Sequence, residues 1–184
     1  AEILLNTEKE QYLALTNPKR KISFLGVRYL RNHLKIQEEI HYLDSGKPYL
    51  KEVQLHISIS HTFNFVALAV CKEAIGLDIE LKNRDCTVVM NKFISESEKN
   101  LYQSMTHNWP LEIWCAKEAV YKLYDVNGLS FLKEIEINKR DNLKGIVMLE
   151  GVIKRNIPQH QFRVQLFMKD DLLIALAQFN VAAL

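Results

Sequence analysis

The stretch Ile75-Gly76-Leu77-Asp78-Ile79-Glu80-Leu81 alternates apolar and polar residues, as a β-strand with two different faces does. Its apolar residues are expected to point into a core, while Gly76, Asp78 and Glu80 share the opposite face. The two carboxylates would lie roughly 6–7 Å apart along the strand and repel unless water, a cation or a basic group intervenes. Oxygen ligands suit a hard cation such as Mg²⁺, and Gly76 leaves room for a ligand. The spacing alone favours a plainer alternative, a half-exposed strand with a polar outer face.

A second segment, Trp114-Cys115-Ala116-Lys117-Glu118-Ala119-Val120-Tyr121-Lys122, is apolar nearly all round a helical wheel. Glu118 and Lys122 fall on its packed face, among Leu111 and Trp114. Charges there are costly without a partner, which can be a metal, a phosphate or each other. The pattern leaves open a metal and phosphate site or an internal ion pair.

The first long helix is predicted from Asn17, as the cap, and Pro18, at the first helical position, to about Lys35. One side of this helix is mostly apolar and includes Ile22 and Tyr29. The other side is a basic stripe of Lys21, Arg28, Arg31 and Lys35. Such a stripe is usually a solvated face.

The rest of the chain predicts short helices and an antiparallel sheet. Residues 44–49 read as a turn, and strands are expected at 57–60, 65–70 and 75–81, the last two joined as a hairpin through Lys72-Glu73. A capping box at Ser95 starts a helix to about Met105, and Pro110 opens another to Tyr124. Further strands are expected at 131–137, 146–153, 162–168 and 172–179. The predicted fold class is α+β, with two similar lobes related by a pseudo-twofold axis, residues 1–90 and 91–184, and a site at their junction.

Composition excludes several classes of protein. The chain has 184 residues, 48% hydrophobic and 25% charged, as expected of a globular protein. Its longest apolar run, Phe65–Cys71, is too short to cross a bilayer, and we expect no secretory signal. The net charge of +2 is too weak to indicate nucleic-acid binding. Three cysteines without close spacing predict reduced thiols in a cytoplasmic protein.

Taken together, G-x-D-x-E at Gly76–Glu80 and W-x-x-K-E-A-x-x-K at Trp114–Lys122 resemble the signature of the 4′-phosphopantetheinyl transferases. Shorter stretches resemble the family too: Gly46–Tyr49, Ile59–His61, Phe93–Glu98 and the basic helix from Lys19 to Leu30. The resemblance covers residues from about 19 to 135. By its length the chain is similar to the larger Sfp-type members, in which two similar lobes lie on one chain, rather than to the small trimeric synthases.

The resemblance implies an enzyme that moves 4′-phosphopantetheine from coenzyme A to a serine of an apo acyl or peptidyl carrier protein. It implies a Mg²⁺ or Mn²⁺ site formed by Asp78, Glu80 and Glu118, with Glu118 and Lys122 as catalytic residues. Coenzyme A would contact Arg28, Lys47, Ser60, His61, Lys117 and Lys122. We expect a monomer, with neither nucleic acid nor membrane among its partners.

Two other functions compete with this one. Asp78 with Glu80-Leu81-Lys82 resembles the acidic core of a metal-dependent nuclease, in which a Glu and a Lys share one face of a strand. That interpretation leaves the Trp114–Lys122 segment unexplained. The second alternative is a non-catalytic module that binds carrier proteins, which should lack the metal carboxylates present here.

Overall fold

The computed structural model describes residues 3–102 and 108–180, a mixture of helices and antiparallel strands. The predicted α+β fold class is confirmed. The helices are α1 (Asn6–Ala14), α2 (Pro18–His33), α3 (Glu96–Asn100) and α4 (Trp109–Tyr124). The strands are β1 (His41–Tyr42), β2 (Pro48–Tyr49), β3 (His56–Thr62), β4 (Phe65–Cys71), β5 (Gly76–Leu81), β6 (Ile135–Leu143), β7 (Ile146–Ile153), β8 (His160–Lys169) and β9 (Leu172–Phe179).

The main sheet has five antiparallel strands in the order β5-β9-β8-β7-β6. Helix α4 packs against β5, β8 and β9 and presents small side chains such as Cys115, Ala116 and Ala119, all buried, to the core that it shares with the sheet. Strand β5 pairs with β9 and lies at one edge. The strand that carries the predicted carboxylates is therefore held under a helix from the second half of the chain.

The predicted hairpin between β4 and β5 is wrong. Strand β4 pairs instead with β3, with Ile57 opposite Val70, and the two form a separate two-stranded sheet. The partner of β5 is some ninety residues away in sequence, because the main sheet offers this buried strand a full backbone ladder on one edge. Proximity in the chain could not reveal that pairing.

Strands β3 and β5 meet at a junction formed by side chains. The hydroxyl of Ser58 accepts a hydrogen bond from the Leu77 amide at 2.9 Å, and that of Ser60 accepts one from the Ile79 amide at 3.2 Å. Both bonds join residues 19 apart in sequence, so the two strands run in the same direction. Serine oxygens thus take the place that backbone carbonyls occupy in a continuous sheet.

Helix α2 begins as predicted, since the Asn17 side chain accepts from the amides of Lys19 and Arg20. The expectation of a solvated basic stripe is correct for Lys35, which is exposed, and wrong for Arg28 and Arg31, which are buried.

The cause is Glu8 of α1, whose carboxylate pairs with Arg31 at 2.6 Å and with Arg28 at 3.2 Å. The side predicted to be apolar is partly exposed instead, with Ile22 70% accessible.

Helix α3 starts at the predicted capping box, in which Ser95 and Glu98 bond reciprocally. The predicted end of that helix near Met105 lies outside the described residues. No helix in the described ranges combines the length and the apolarity needed to cross a membrane. The similarity of the two lobes and their boundary at residue 90 stay predictions.

Candidate active site

Asp78 and Glu80 both lie beneath α4, each only 5% exposed. The interpretation of β5 as a half-exposed strand is therefore wrong. The space above Gly76 is filled by the helix: a β-carbon there would lie 1.9 Å from the carbonyl oxygen of Ala119. Gly76 is therefore needed for this close contact between helix and strand. The sequence-based expectation that Gly76 leaves room for a ligand is wrong.

The Asp78 carboxylate has one satisfied oxygen and one free one. Its Oδ1 accepts from the Ser60 hydroxyl at 2.8 Å and from the Lys122 ammonium at 2.8 Å. Its Oδ2 is buried and has no hydrogen-bond partner among the described residues. Because an unpaired buried carboxylate oxygen is costly, this atom is an open position for a cation or a donor.

Lys122 occupies the junction between β3 and β5. Besides Asp78, its ammonium donates to the Ser60 hydroxyl at 2.9 Å and to the Leu77 carbonyl at 3.0 Å. Ser60 thus donates once and accepts twice, which uses the full capacity of a hydroxyl. Of the alternatives left open for Lys122, an internal ion pair with Glu118 is not the one observed, because its ammonium pairs with Asp78 at 2.8 Å.

Glu80 is surrounded by donors that the sequence did not reveal. Its Oε1 accepts from the Trp114 indole N–H at 2.9 Å and from the Arg84 guanidinium, while Oε2 lies 3.5 Å from the Thr62 hydroxyl. An indole N–H that is buried needs an acceptor, and this need could have indicated Trp114 as a donor to one of the carboxylates. Nothing in the sequence pattern links Arg84 to Glu80, because their contact depends on the turn after β5.

Glu118 is half-buried on α4, close enough to the other carboxylates to respond to their charge. Burial raises the pKa of the Glu118 carboxyl, and the negative charge of Asp78 raises it further. Lys122 acts in the opposite direction. The structure thus brings Asp78, Glu118 and Lys122 into one electrostatic cluster.

Lys117 lies in the core and not in this cluster. Its fully buried ammonium donates to the carbonyls of Phe93 and Phe131, each at 2.8 Å, and pairs with Glu98 at 2.7 Å. Burial lowers the pKa of Lys117, and Glu98 counters that effect. We assign Lys117 a structural role, and its predicted contact with coenzyme A is not supported by this position.

A cavity of about 170 Å³ opens beside Lys122, between the turn at 45–48, strand β3 and the end of α4. Lys47 lines the same cavity and lies 3.6 Å from Asp125. The structure therefore joins Lys47 to Lys122, two lysines 75 positions apart in sequence.

The structure does not join Arg28 or His61 to the cluster through any described contact. Arg28 is buried against Glu8, with its guanidinium 3.5 Å from the centre of the Phe24 ring, and its Nη2 lacks a partner among the described residues. His61 is exposed on β3, next to Ser60.

The donor chemistry of the cluster fits a hard divalent cation. Carboxylate oxygens are ligands that such a cation prefers, and Oδ2 of Asp78 is an acceptor without a partner among the described residues. Within the described ranges, however, no three His, Cys, Asp or Glu side chains are gathered closely enough to hold one ion. Asp78 is instead paired with Lys122, and Glu80 with Arg84.

Comparison with known proteins identifies the class. Residues 74–177, more than half of the chain, match the model of the 4′-phosphopantetheinyl transferase superfamily, and the chain belongs to that superfamily. A Haemophilus influenzae (strain Rd) protein described as "Putative 4'-phosphopantetheinyl transferase" is 29% identical over 149 residues, which cover 77% of this chain. The match spans 58% of that protein's length. A transferase family gives no support to the nuclease interpretation.

Proposed function

We propose that this chain transfers the 4′-phosphopantetheine group of coenzyme A to a serine of an apo acyl or peptidyl carrier protein, with release of 3′,5′-ADP. Membership of the superfamily and the description of the Haemophilus relative support this activity. Within the superfamily, we place the chain in the larger, two-lobed class. The proposed activity includes that of a holo-acyl-carrier-protein synthase, which modifies acyl carrier proteins.

The observation that carries the proposal is the buried pair Asp78 and Glu80 beside Lys122, with one Asp78 oxygen unpartnered. Buried carboxylates that are not fully satisfied are costly, so a protein retains them where a ligand completes them. The adjoining cavity is lined by Lys122, the partner of Asp78, and by Lys47, the partner of Asp125, and in the proposed function both ammonium groups bind the anionic substrate.

Asp78, Glu80 and Glu118 would hold Mg²⁺ or Mn²⁺. A divalent cation bound there would supply positive charge that offsets the charge developing on the leaving 3′,5′-ADP.

The chain's own residues would bind coenzyme A, orient the reacting groups and accept the proton of the carrier serine. Lys47 and Lys122 would bind phosphate oxygens of coenzyme A, and Ser60 fixes the position of the Lys122 ammonium. The carrier serine oxygen forms a bond to the phosphorus that bears pantetheine, and the bond from that phosphorus to 3′,5′-ADP breaks with its electron pair. Glu118 would accept the serine proton, directly or through water, because of the three carboxylates it is the one that pairs with no lysine or arginine in the described contacts. His61 is proposed to contact the nucleotide end, whereas the ion pair with Glu8 favours a structural role for Arg28.

Intact-mass analysis tests the function. Apo acyl and apo peptidyl carrier proteins are incubated with the chain, coenzyme A and Mg²⁺, and a gain of one phosphopantetheine per carrier is expected. Asp78→Asn keeps the size of the side chain and its contact with Ser60 but removes the charge, so transfer should fall by at least about a hundredfold.

Asp141→Asn is the matched control, because Asp141 is half-exposed on β6 and belongs to a separate ion pair with Lys139. It should transfer as the parent does. Absence of transfer to every carrier would overturn the proposed activity, and full activity of Asp78→Asn would overturn the assignment of the site.

A further inference from the structure

Arg84 contacts the candidate metal site directly, yet it belongs to neither signature motif. Its guanidinium donates to Oε1 of Glu80, the same oxygen that accepts the Trp114 indole N–H. The Glu80 side chain is 6% exposed and that of Arg84 is 45% exposed. A buried carboxylate is thus neutralised by a cation that stands partly in solvent.

Arg84 is held at this position from two further sides. The centre of its guanidinium lies 5.1 Å from the Trp114 ring centroid, within the range of a cation–π contact. The side-chain amide of Asn108 donates to the backbone carbonyl of Arg84 at 2.7 Å. These contacts hold the guanidinium of Arg84 beside Glu80, and the other side of the guanidinium is exposed to solvent.

The two carboxylates of β5 are therefore each paired with a cationic side chain, and the two side chains differ in their surroundings. Lys122, paired with Asp78, is anchored by Ser60 and Leu77 inside the junction of the strands. Arg84 contacts Glu80 from the rim with a side chain that is already 45% exposed, so a guanidinium that leaves the carboxylate would regain contact with water. Among the described residues, Arg84 is the cation that combines a direct contact to Glu80 with such exposure.

We propose that Arg84 is a displaceable counter-ion, which neutralises Glu80 while the site holds no divalent cation and leaves Oε1 when a cation binds. This inference rests on the proposed function, because it presupposes that Glu80 is a metal ligand. Arg84 is thereby a positioning residue: it holds the Glu80 carboxylate in place, and it lowers the affinity of the site for metal by competition.

The closing experiment measures binding of Mn²⁺ by electron paramagnetic resonance, to the full chain alone and to the chain with saturating coenzyme A. Arg84→Gln removes the competing charge, and we expect about fivefold tighter Mn²⁺ binding. Arg84→Lys keeps a positive charge and should restore much of the parent affinity. Lys82→Gln is the matched control: it removes an equal charge two residues away, where Lys82 pairs with exposed Asp171 rather than with Glu80.

A second readout separates competition from a structural role. Without Glu80's guanidinium partner, the metal-free Arg84→Gln protein should melt below the parent, and added Mg²⁺ should raise its melting temperature more than that of the parent. Loss of stability without this larger gain would overturn the inference.

The outcomes distinguish the two proposals. Tighter binding by Arg84→Gln but not by Lys82→Gln supports the counter-ion. The second outcome is that Arg84→Gln binds Mn²⁺ no more tightly than the parent, while the parent binds Mn²⁺ and Glu80→Gln does not. This outcome overturns the counter-ion and leaves the metal site in place. No binding by the parent or by Arg84→Gln, with or without coenzyme A, overturns the proposed metal site itself and the inference with it.

Discussion

At the scale of single residues, Glu118 has the most informative surroundings. It lies close enough to the carboxylates of β5 and to Lys122 to feel their charges, and burial, together with the charge of Asp78, raises its pKa. Asp78 and Glu80 already have ammonium and guanidinium partners, whereas Glu118 has a position suited to take a proton as well as to bind a cation. These two roles can be separated by one substitution.

Glu118→Gln keeps the size of the side chain and an oxygen ligand but removes the base. We expect coenzyme A binding to weaken only modestly, while turnover falls by at least about a hundredfold. Calorimetry of coenzyme A binding and single-turnover transfer to apo carrier protein measure the two quantities separately.

Glu96→Gln is the matched control, because Glu96 is a strongly exposed glutamate on α3 that pairs only with Lys99 in the described contacts. A parallel fall of binding and turnover in Glu118→Gln would make Glu118 chiefly a metal ligand. Nearly unchanged turnover would exclude both roles.

At the scale of elements, the site depends on the contact between β5 and α4. Small side chains on the helix and the missing β-carbon of Gly76 allow the two backbones to approach closely. Asp78 and Glu80 stand on one side of this contact, and Glu118 and Lys122 stand on the other. The spacing between helix and strand therefore sets the spacing within the site.

Gly76→Ala should push the helix away from the strand. The added β-carbon would lie 1.9 Å from the Ala119 oxygen and 2.8 Å from the Leu123 nitrogen, and both are backbone atoms that cannot turn aside. We expect a loss of about 1–3 kcal/mol in the free energy of unfolding, measured by urea denaturation, and a larger proportional loss of transfer activity.

Gly26→Ala is the control for this substitution. Its β-carbon would meet only a methyl group of Val66, at 2.8 Å, and alanine is the better helix former in α2. If Gly76→Ala is no less stable than Gly26→Ala, the close contact does not constrain the site.

The sequence predicted those features that depend on local signals, namely the alternation of apolar and polar residues in strands and the residues that begin helices. It predicted that Asp78 and Glu80 share a face, and it predicted the start of α2 at Asn17 and the bounds of β7 and β9. What it missed depends on contacts between distant segments. The burial of Arg28 follows from Glu8 on another helix, and the true neighbours of Glu80 are set by the turn after β5 and by the packing of α4.

At the scale of the whole molecule, the candidate site is assembled within one chain. The cavity is lined by residues 45–48 and 57–59 on one side and by residues 121–122 and 125–127 on the other. Strand β3, strand β5 and helix α4 supply all the side chains of the cluster. We take this arrangement as support for the proposed two-lobed class, in which the site lies within a single chain.

We therefore expect a monomer. Light scattering should give the molar mass of one chain, 21.4 kDa, and transfer activity per chain should be independent of protein concentration. A stable species of roughly three times that mass, with activity lost on dilution, would place the chain with the small trimeric synthases instead.

The serine junction between β3 and β5 also restricts how this sequence can change over evolution. Because side chains alternate along a strand, a one-residue deletion in β3 would bring Ile57 or Ile59 opposite the amides that Ser58 and Ser60 now satisfy. Two buried amides would lose their acceptors, and Lys122 would lose the hydroxyl that orients it. Insertions and deletions should therefore be excluded from this short strand.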